Sequence, residues 1–440
     1  MKINRRSFLR DSALVTSSAA LTGPALLTAR PSRAQTSTAP RIIAIFADGG
    51  WDTTYTIDPK EPSATDVDIP NGSATTSGFG ATDLSISNAV SQAGAFFTQY
   101  YEQIALVRGI DVRSIAHDTC RTRIWTGGAS IYQPDFASLV ASTHARELAL
   151  PYVLLSGSGF IGGSAAYSAR LGTANQIVSL VDDQETWKLA DETAPASYFN
   201  PQQDKLHAIE ELVKKRASRL AHYRGAYGEN KRKLFDYEES LNKLQTVREN
   251  SHLLGEKNPA KGLDNDIALA VDLLSNGLSH SVSINDGGSW DSHDGNTSQG
   301  SNHGNLFGDT ENEGLRGLMK RLDLTTFVDG ALAGQKLIDH TVVVVFSEMG
   351  RTPLLNNGGG KDHWGFTSAM VIGSMVAPGA YGGTDPNNMS GLNVNFESGK
   401  VDGGTLQALG TAEFISGILD LAQVPSDQLL STPFSPYKMS

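Results

Sequence analysis

The chain has 440 residues, with 47 acidic against 36 basic side chains and a formal net charge of −11. That acidic balance excludes the basic surface used by phosphate-backbone binders, and no apolar run reaches the ~18–20 residues of a membrane-spanning helix. The single cysteine, Cys120, excludes a disulfide framework, and the length suffices to bury a core without one.

Residues 1–34 read as an address label. Arg5 and Arg6 precede Phe8-Leu9-Arg10, then an Ala/Leu-rich stretch runs from Ala13 to Leu27, and Ser32-Arg33-Ala34 offers a small-x-small cleavage pattern. The paired arginines with Phe-Leu and the basic flank resemble a twin-arginine export signal. The alternative is an ordinary secretory signal that begins with Arg-Arg. Either places the mature protein in the periplasm or outside the cell, and the twin-arginine route implies export after folding, with any cofactor already loaded.

The strand signals are widely separated. Arg41 to Phe46 is a short apolar run that ends abruptly in Ala47-Asp48-Gly49-Gly50-Trp51-Asp52. Ile104–Val107, Tyr152–Leu155, His280–Ile284 and Met370–Ile372 are weaker versions. Thr341 to Phe346 contains four consecutive valines and is the strongest. Continuous apolar strands are buried on both faces, so the expected fold is α/β, with a mostly parallel central sheet sandwiched between helices. Helical periodicity dominates Asp204 to Leu254, where Leu206, Ile209, Val213 and Leu220 share one face and Leu234, Leu241 and Leu244 follow. This predicts a helical insertion at about 201–260 within one domain spanning 35–440, because strand-end motifs lie on both sides of it. Pro62–Gly80 and Gly287–Gly308 read as Gly/Ser/Asn/Thr-rich loops.

In open α/β sheets, ligands sit outside the carboxyl ends of the strands. Four segments near such ends carry carboxylate or imidazole groups beside glycines. They are Asp48-Gly49-Gly50-Trp51-Asp52, Asp286 to His293 with Asp291 between, Ser347-Glu348-Met349-Gly350-Arg351-Thr352-Pro353, and Asp362-His363-Trp364-Gly365 after a triple-glycine loop. One Asp-Gly alone is usually a turn. Four segments of the same residue types at strand ends point instead to a shared site. Asp48 or Asp52, Asp291, His293, Glu348, Asp362 and His363 are the candidate ligands, and carboxylates mixed with imidazoles suit Zn²⁺ or Mn²⁺, as one or two ions. Clustered carboxylates also need a cation to remain ionised together. His144, His207, His222, His252 and His340 lack such company, and His303 falls in the glycine-rich loop without a role.

A fifth segment runs from Ser114 to Gly128. Asp118 reads as an N-cap and Thr119–Trp125 as the first turns of a helix that ends at Gly127-Gly128. A helix N-terminus offers amides and partial positive charge to an anion, with His117, Thr119 and Arg121 around it. His117 then serves as metal ligand or general base, Thr119 as the nearest hydroxyl, and Arg121 as an anion clamp.

These motifs, taken with the leader and in this order, resemble the secreted domain-of-unknown-function 1501 family, over roughly Arg41 to Leu421. Ser-Glu-Met-Gly-Arg-Thr-Pro is the most specific block. That family is similar to the alkaline phosphatase and sulfatase superfamily. The resemblance implies an alkaline-phosphatase-like sandwich with metal ions at the strand ends, a nucleophile at a helix start, and hydrolysis of phosphate or sulfate esters. It also implies Asp48 as the first-strand ligand, Asp291 and His293 as a ligand pair, Glu348 where the superfamily has Asp, and Asp362 and His363 as the C-terminal block. The sequence departs from it at Met349, where a His would stand. It departs again at Cys120, because the formylglycine pattern Cys-x-Pro-x-Arg is missing. The expected activity is therefore a metal-dependent hydrolase acting on a small anionic ester, with a non-catalytic metal-binding or assembly protein of the same fold as the alternative.

Overall fold

The computed structural model describes residues 37–61, 66–162, 168–170, 203–224, 228–255 and 262–439. The export leader expected over 1–34 lies outside these residues. In chain order the strands of the main sheet are β1 (Arg41–Phe46), β2 (Ile104–Asp111), β3 (Tyr152–Leu154), β4 (Ser168–Arg170), β5 (Ser281–Asn285), β6 (Thr341–Phe346), β7 (Phe366–Ile372) and β8 (Gly379–Gly382). They lie side by side as β8-β2-β7-β6-β1-β5-β3-β4. The two runs richest in β-branched residues, β1 and β6, pair in parallel at the centre, Arg41 with Thr341 through Phe46 with Phe346, and every residue of both is buried. Only β7 runs against its neighbours, antiparallel to both β2 and β6. The sheet is mostly parallel, as the continuous apolar strands require.

The helices are α1 (Ser91–Tyr100), α2 (His117–Thr126), α3 (Phe136–His144), α4 (Gln203–Arg224), α5 (Gly228–Glu249), α6 (Ser251–Gly255), α7 (Leu263–Ser275), α8 (Thr297–Phe307), α9 (Gly314–Leu324) and α10 (Thr411–Leu421). The period-two alternation of the strands builds two cores, one on each face. Ile43, Ile45, Val343 and Val345 pack with α1, α7, α8 and α9 through Phe96, Leu273, Phe307 and Leu318. Ile42, Ala44, Val342 and Val344 pack on the other face with α2, α3 and α10 through Trp125, Phe136 and Phe414. The result is a three-layer α/β sandwich, and Arg33–Ser440 gathers into one compact unit.

Three elements differ from the sequence reading. The glycine-rich stretch 287–308 is not all loop, because Thr297–Phe307 is helical and buries Gln299, His303, Leu306 and Phe307. A Cβ at Gly300 would come within 3.2 Å of the Tyr55 ring, so close packing explains the weak helical composition. Helix α2 begins at His117, one turn position before Asp118; Ala116 is its N-cap and no side-chain hydrogen bond caps it. On α4 the inward positions are Val213 and Ala217, while Ile209 and Leu220 are exposed. That helix packs on α5, and Val247 of α5 reaches the first core.

Asp266 on α7 is buried beside the end of β3. Its Oδ2 accepts a 3.0 Å hydrogen bond from Ser156 Oγ, and Oδ1 has no hydrogen-bond partner among the described residues. Burial pushes its carboxyl up to about 7. A folded-state value above the unfolded one means that the folded protein binds the extra proton. Stability from this group is therefore full below about pH 4 and falls as pH rises toward 7. Asp266→Asn is expected to gain on the order of 1–3 kcal/mol at pH 8 and nothing near pH 4. Urea titrations at both pH values test this, and an equal gain at the two would contradict it.

Candidate functional site: a convergence of imidazoles at the strand ends

The carboxyl ends of β1, β5 and β6 share one edge of the sheet. Because β7 is antiparallel, the segment entering it, His363-Trp364, arrives at that same edge and pairs with Gly350-Arg351. The turn after β2 delivers α2 there as well, with Val112 N donating to Gly365 O. Five loops thus meet at one place, although the fourth motif precedes its strand instead of following one.

The first loop needs glycine. Gly49 and Gly50 have φ of +129° and +88°, which side-chain-bearing residues rarely adopt. The turn aims the Gly49 amide at both Glu348 oxygens, 2.9 and 3.0 Å away. Glu348 is fully buried, and it also accepts from Ser347 Oγ at 3.1 Å and meets His117 Nδ1 at 2.8 Å. Burial alone would raise its pKa, but the bonds from His117 and Gly49 outweigh this and hold the carboxyl below its usual range. An ionised Glu348 can only accept, so His117 Nδ1 carries the proton and Nε2 presents a lone pair. The same bond, with the Glu348 and Asp291 charges, raises the His117 pKa despite partial burial.

His363 and His293 repeat the arrangement. His363 Nδ1 donates to Ile115 O at 2.8 Å, and His293 Nδ1 faces Asp362 Oδ1 at 3.0 Å. Each of the three imidazoles therefore has Nδ1–H fixed by an acceptor, which turns Nε2 toward a common point. His293 Nε2 and His363 Nε2 are 2.9 Å apart. Asp291 completes the group, with Oδ1 at 3.1 Å from His293 Nε2 and 3.4 Å from His363 Nε2, and Oδ2 at 3.5 Å from His117 Nε2. His117, Asp291 and His363 each offer a ligand atom within 4.8 Å of the others, and His293 adjoins them. Two lone pairs facing each other at 2.9 Å repel unless a proton or a cation lies between them. The donor set, imidazole nitrogens with a carboxylate, fits Zn²⁺ or Mn²⁺.

The other expected site residues are distributed differently. Glu348 and Asp362 are not members of the converging set; each holds a histidine instead. Asp48 lies at the rim, where Oδ1 accepts from Arg121 Nε and Nη2 at 2.9 and 2.7 Å and Oδ2 from Asn285 at 3.3 Å. Asp52 does not join them at all. It is fully buried, caps the short helix Thr53–Tyr55, accepts from Thr54 and from Asn296 at 2.7 Å, and forms an ion pair with Lys361 at 2.9 Å. Those partners engage both of its oxygens away from the imidazoles. Thr119 also lies elsewhere. It is exposed, and two residues along a 3.6-residue turn puts it about 200° around the axis from His117. Arg121, four residues on from His117, shares the His117 face. Asp118 is exposed and pairs with Arg121 at 3.1 Å instead of capping the helix.

Sequence reasoning passed over Arg351, Lys361 and Gln299, all buried. Gln299 Nε2 donates to Trp290 O at 2.7 Å while its Oε1 accepts from Asp52 N at 2.8 Å, tying the first loop to the second. Each of the three stands between a glycine and a polar residue, and nothing local distinguishes that from a surface position.

An α/β sandwich with imidazoles and a carboxylate gathered at its strand ends is the class defined by this geometry. The chain belongs to the family described as "Protein of unknown function (DUF1501)", whose model matches residues 39–396. No curated protein matches the sequence. Among solved structures, it is similar to a chain from work on the metabolism of multiple glycosaminoglycans by Bacteroides thetaiotaomicron. That match has 10% identity and a TM-score of 0.32 over 91% of this chain and 77% of that one. It is also similar to Ps i-CgsB in complex with k-i-k-neocarrahexaose, with 9% identity and a TM-score of 0.29 over 90% and 75%.

Proposed function

We propose that the protein is an exported metal-dependent hydrolase acting on a small anionic ester, a phosphate or sulfate ester or a similar substrate. The observation that carries this reading is the three imidazoles whose Nδ1–H groups are each fixed by an acceptor, so that their Nε2 atoms meet beside Asp291. His117, Asp291, His363 and the adjoining His293 would hold one divalent ion, Zn²⁺ or Mn²⁺. Such an ion supplies Lewis acidity toward an ester oxygen and a supply of hydroxide near neutral pH. The chain's own contribution is orientation. Glu348 and Asp362 fix the tautomers of His117 and His293 and strengthen them as donors. The α2 N-terminus, free of any side-chain cap, turns its first amides and partial positive charge toward an anion beside the cluster. Arg121 adds a guanidinium on the same face, steadied by Asp48. Water fits the nucleophile's role better than Thr119, which lies round the far side of the helix.

The test is turnover of a panel of phosphate monoesters, phosphodiesters and sulfate esters with Zn²⁺ or Mn²⁺ added. Hydrolysis of at least one class is expected, lost on chelation and unaffected by Thr119→Ala. Metal binding without turnover across the panel would favour the second reading, a non-catalytic metal-binding or assembly protein, for which the displaced Thr119 is the supporting observation. The export part rests on Arg5 and Arg6. Replacing both with lysine is expected to leave the protein in the cytoplasmic fraction, and normal export would reject the twin-arginine assignment.

A further inference from the structure

The net charge conceals a local excess of the opposite sign. Of the chain's 36 basic and 47 acidic side chains, residues 214–233 hold eight basic ones and a single acid, Glu229. This stretch runs from the middle of α4 to the start of α5, and the two helices pack on each other, with Lys214 Nζ donating to Gln245 Oε1 at 3.3 Å. At the other end the pair is anchored, since Val247 reaches the first core and Lys243 donates to Arg146 O. The cations near the turn are available. Lys215, Arg232 and Lys233 meet acids of their own helix at i,i+4 spacing, and such exposed pairs hold little. Exposed Arg216, Arg219 and Lys231 pair with no acid among the described residues. The same hairpin exposes apolar side chains. On α4, Ile209, Leu212, Leu220 and Tyr223 are 44, 66, 36 and 76% exposed. At about 100° per residue they fall within about 80° of arc, a stripe about 21 Å long that faces about 100° away from buried Ala217. Arg216 stands within this stripe and Arg219 at its edge. Phe235 of α5, beside the turn, is exposed as well.

We propose that this hairpin docks the protein on an anionic lipid surface, with the α4 stripe seated at the level of the headgroups and upper acyl chains and the arginines and lysines on lipid phosphates. Charge complementarity selects the sign of the partner. The basic hairpin is drawn to such a surface, while the acidic remainder of the chain is repelled and stays off it. The apolar stripe selects the kind of partner. A soluble polyanion, a nucleic acid or a sulfated glycan, has anionic groups for the cations but nothing aliphatic to receive Ile209 and Leu212. A helix whose apolar stripe is flanked by arginines suits the bilayer interface, where basic heads reach the phosphates while their stems lie along hydrocarbon.

The experiment is co-sedimentation of the full mature protein with vesicles of phosphatidylcholine alone and of phosphatidylcholine mixed in equal parts with phosphatidylglycerol. Partitioning is expected to be at least ~20-fold stronger onto the anionic vesicles and to weaken with added salt. Each basic residue near such a surface contributes about fivefold, so Arg216→Gln/Arg219→Gln is expected to lose about 20-fold. Leu212→Ser/Tyr223→Ser leaves the charge unchanged and is expected to lose about tenfold or more. All four side chains are exposed, so neither variant disturbs the core. A wild type with no preference for anionic vesicles overturns the proposal. Binding retained within about twofold by Leu212→Ser/Tyr223→Ser also overturns it, and assigns the cations to a soluble polyanion. A wild-type dimer that Leu212→Ser/Tyr223→Ser disperses, without vesicle binding, gives the stripe to a second copy of the chain instead.

Discussion

His363→Ala is expected to lower Zn²⁺ affinity by at least ~100-fold and to abolish any metal-dependent turnover, with little change in thermal stability of the metal-free protein. The basis is position. His363 Nε2 is the atom shared between the two halves of the cluster, 2.9 Å from His293 Nε2 and 3.4 Å from Asp291 Oδ1, and its ring packs 4.4 Å from His117 and 4.5 Å from His293, centre to centre. His117→Ala is expected to fall in the same class, since Nε2 of His117 lies within the same group. His293→Ala, at its edge, is expected to cost less. Removing an orienting partner commonly costs ~10–100-fold in affinity, so Asp362→Asn and Glu348→Gln are expected to lie below the His363 effect. Isothermal titration of the apoprotein with Zn²⁺ ranks the five variants. If His293→Ala abolishes metal binding while His117→Ala leaves it untouched, His117 has no place in the site.

The layered fold was legible because its information is local. Five consecutive apolar residues in β1 and the four valines of β6 can only be strands buried on both faces, and such strands make a covered, mostly parallel sheet. The meeting of Asp291, His293 and His363 was legible too, since imidazoles and carboxylates beside glycines at strand ends converge by topology. The division between ligand and orienting partner was not. Glu348 and Asp291 are both acids beyond a strand end; one is held by the Gly49 amide and the other pairs with Arg351, across 299 and 60 residues of sequence. Helix α8 escaped notice because glycines, which lower helix propensity, serve there to let the helix approach Tyr55. Asp118 looked like an N-cap because the residue type is right; the turn that starts α2 is set instead by Ser114, whose Oγ accepts from Ala116 N at 3.2 Å.

Lys361→Met is expected to destabilise the protein by roughly 3–5 kcal/mol, the usual cost of stranding one member of a buried ion pair. Lys361 and Asp52 are both fully buried, their charged atoms 2.9 Å apart. Burial by itself would raise the Asp52 pKa, yet Lys361, Thr54 and Asn296 together hold it below the ordinary carboxylate range. A depressed folded-state value means that this stabilisation is present above the unfolded pKa and is lost as pH falls through the folded one. With Lys361 gone, only Thr54 and Asn296 oppose the desolvation, so Asp52 takes up a proton at higher pH than before. The deficit of Lys361→Met is therefore expected to be largest at neutral pH and to shrink on acidification toward pH 4, in parallel with the loss of the wild-type pair's own stabilisation. Adding Asp52→Asn removes the stranded charge while keeping an oxygen for Thr54, and is expected to recover most of the loss at pH 7. Chemical denaturation of the single and double variants at pH 7 and pH 4 measures each term. A deficit independent of pH, or a double variant no better than the single one, would mean that Lys361 acts by packing and not by charge.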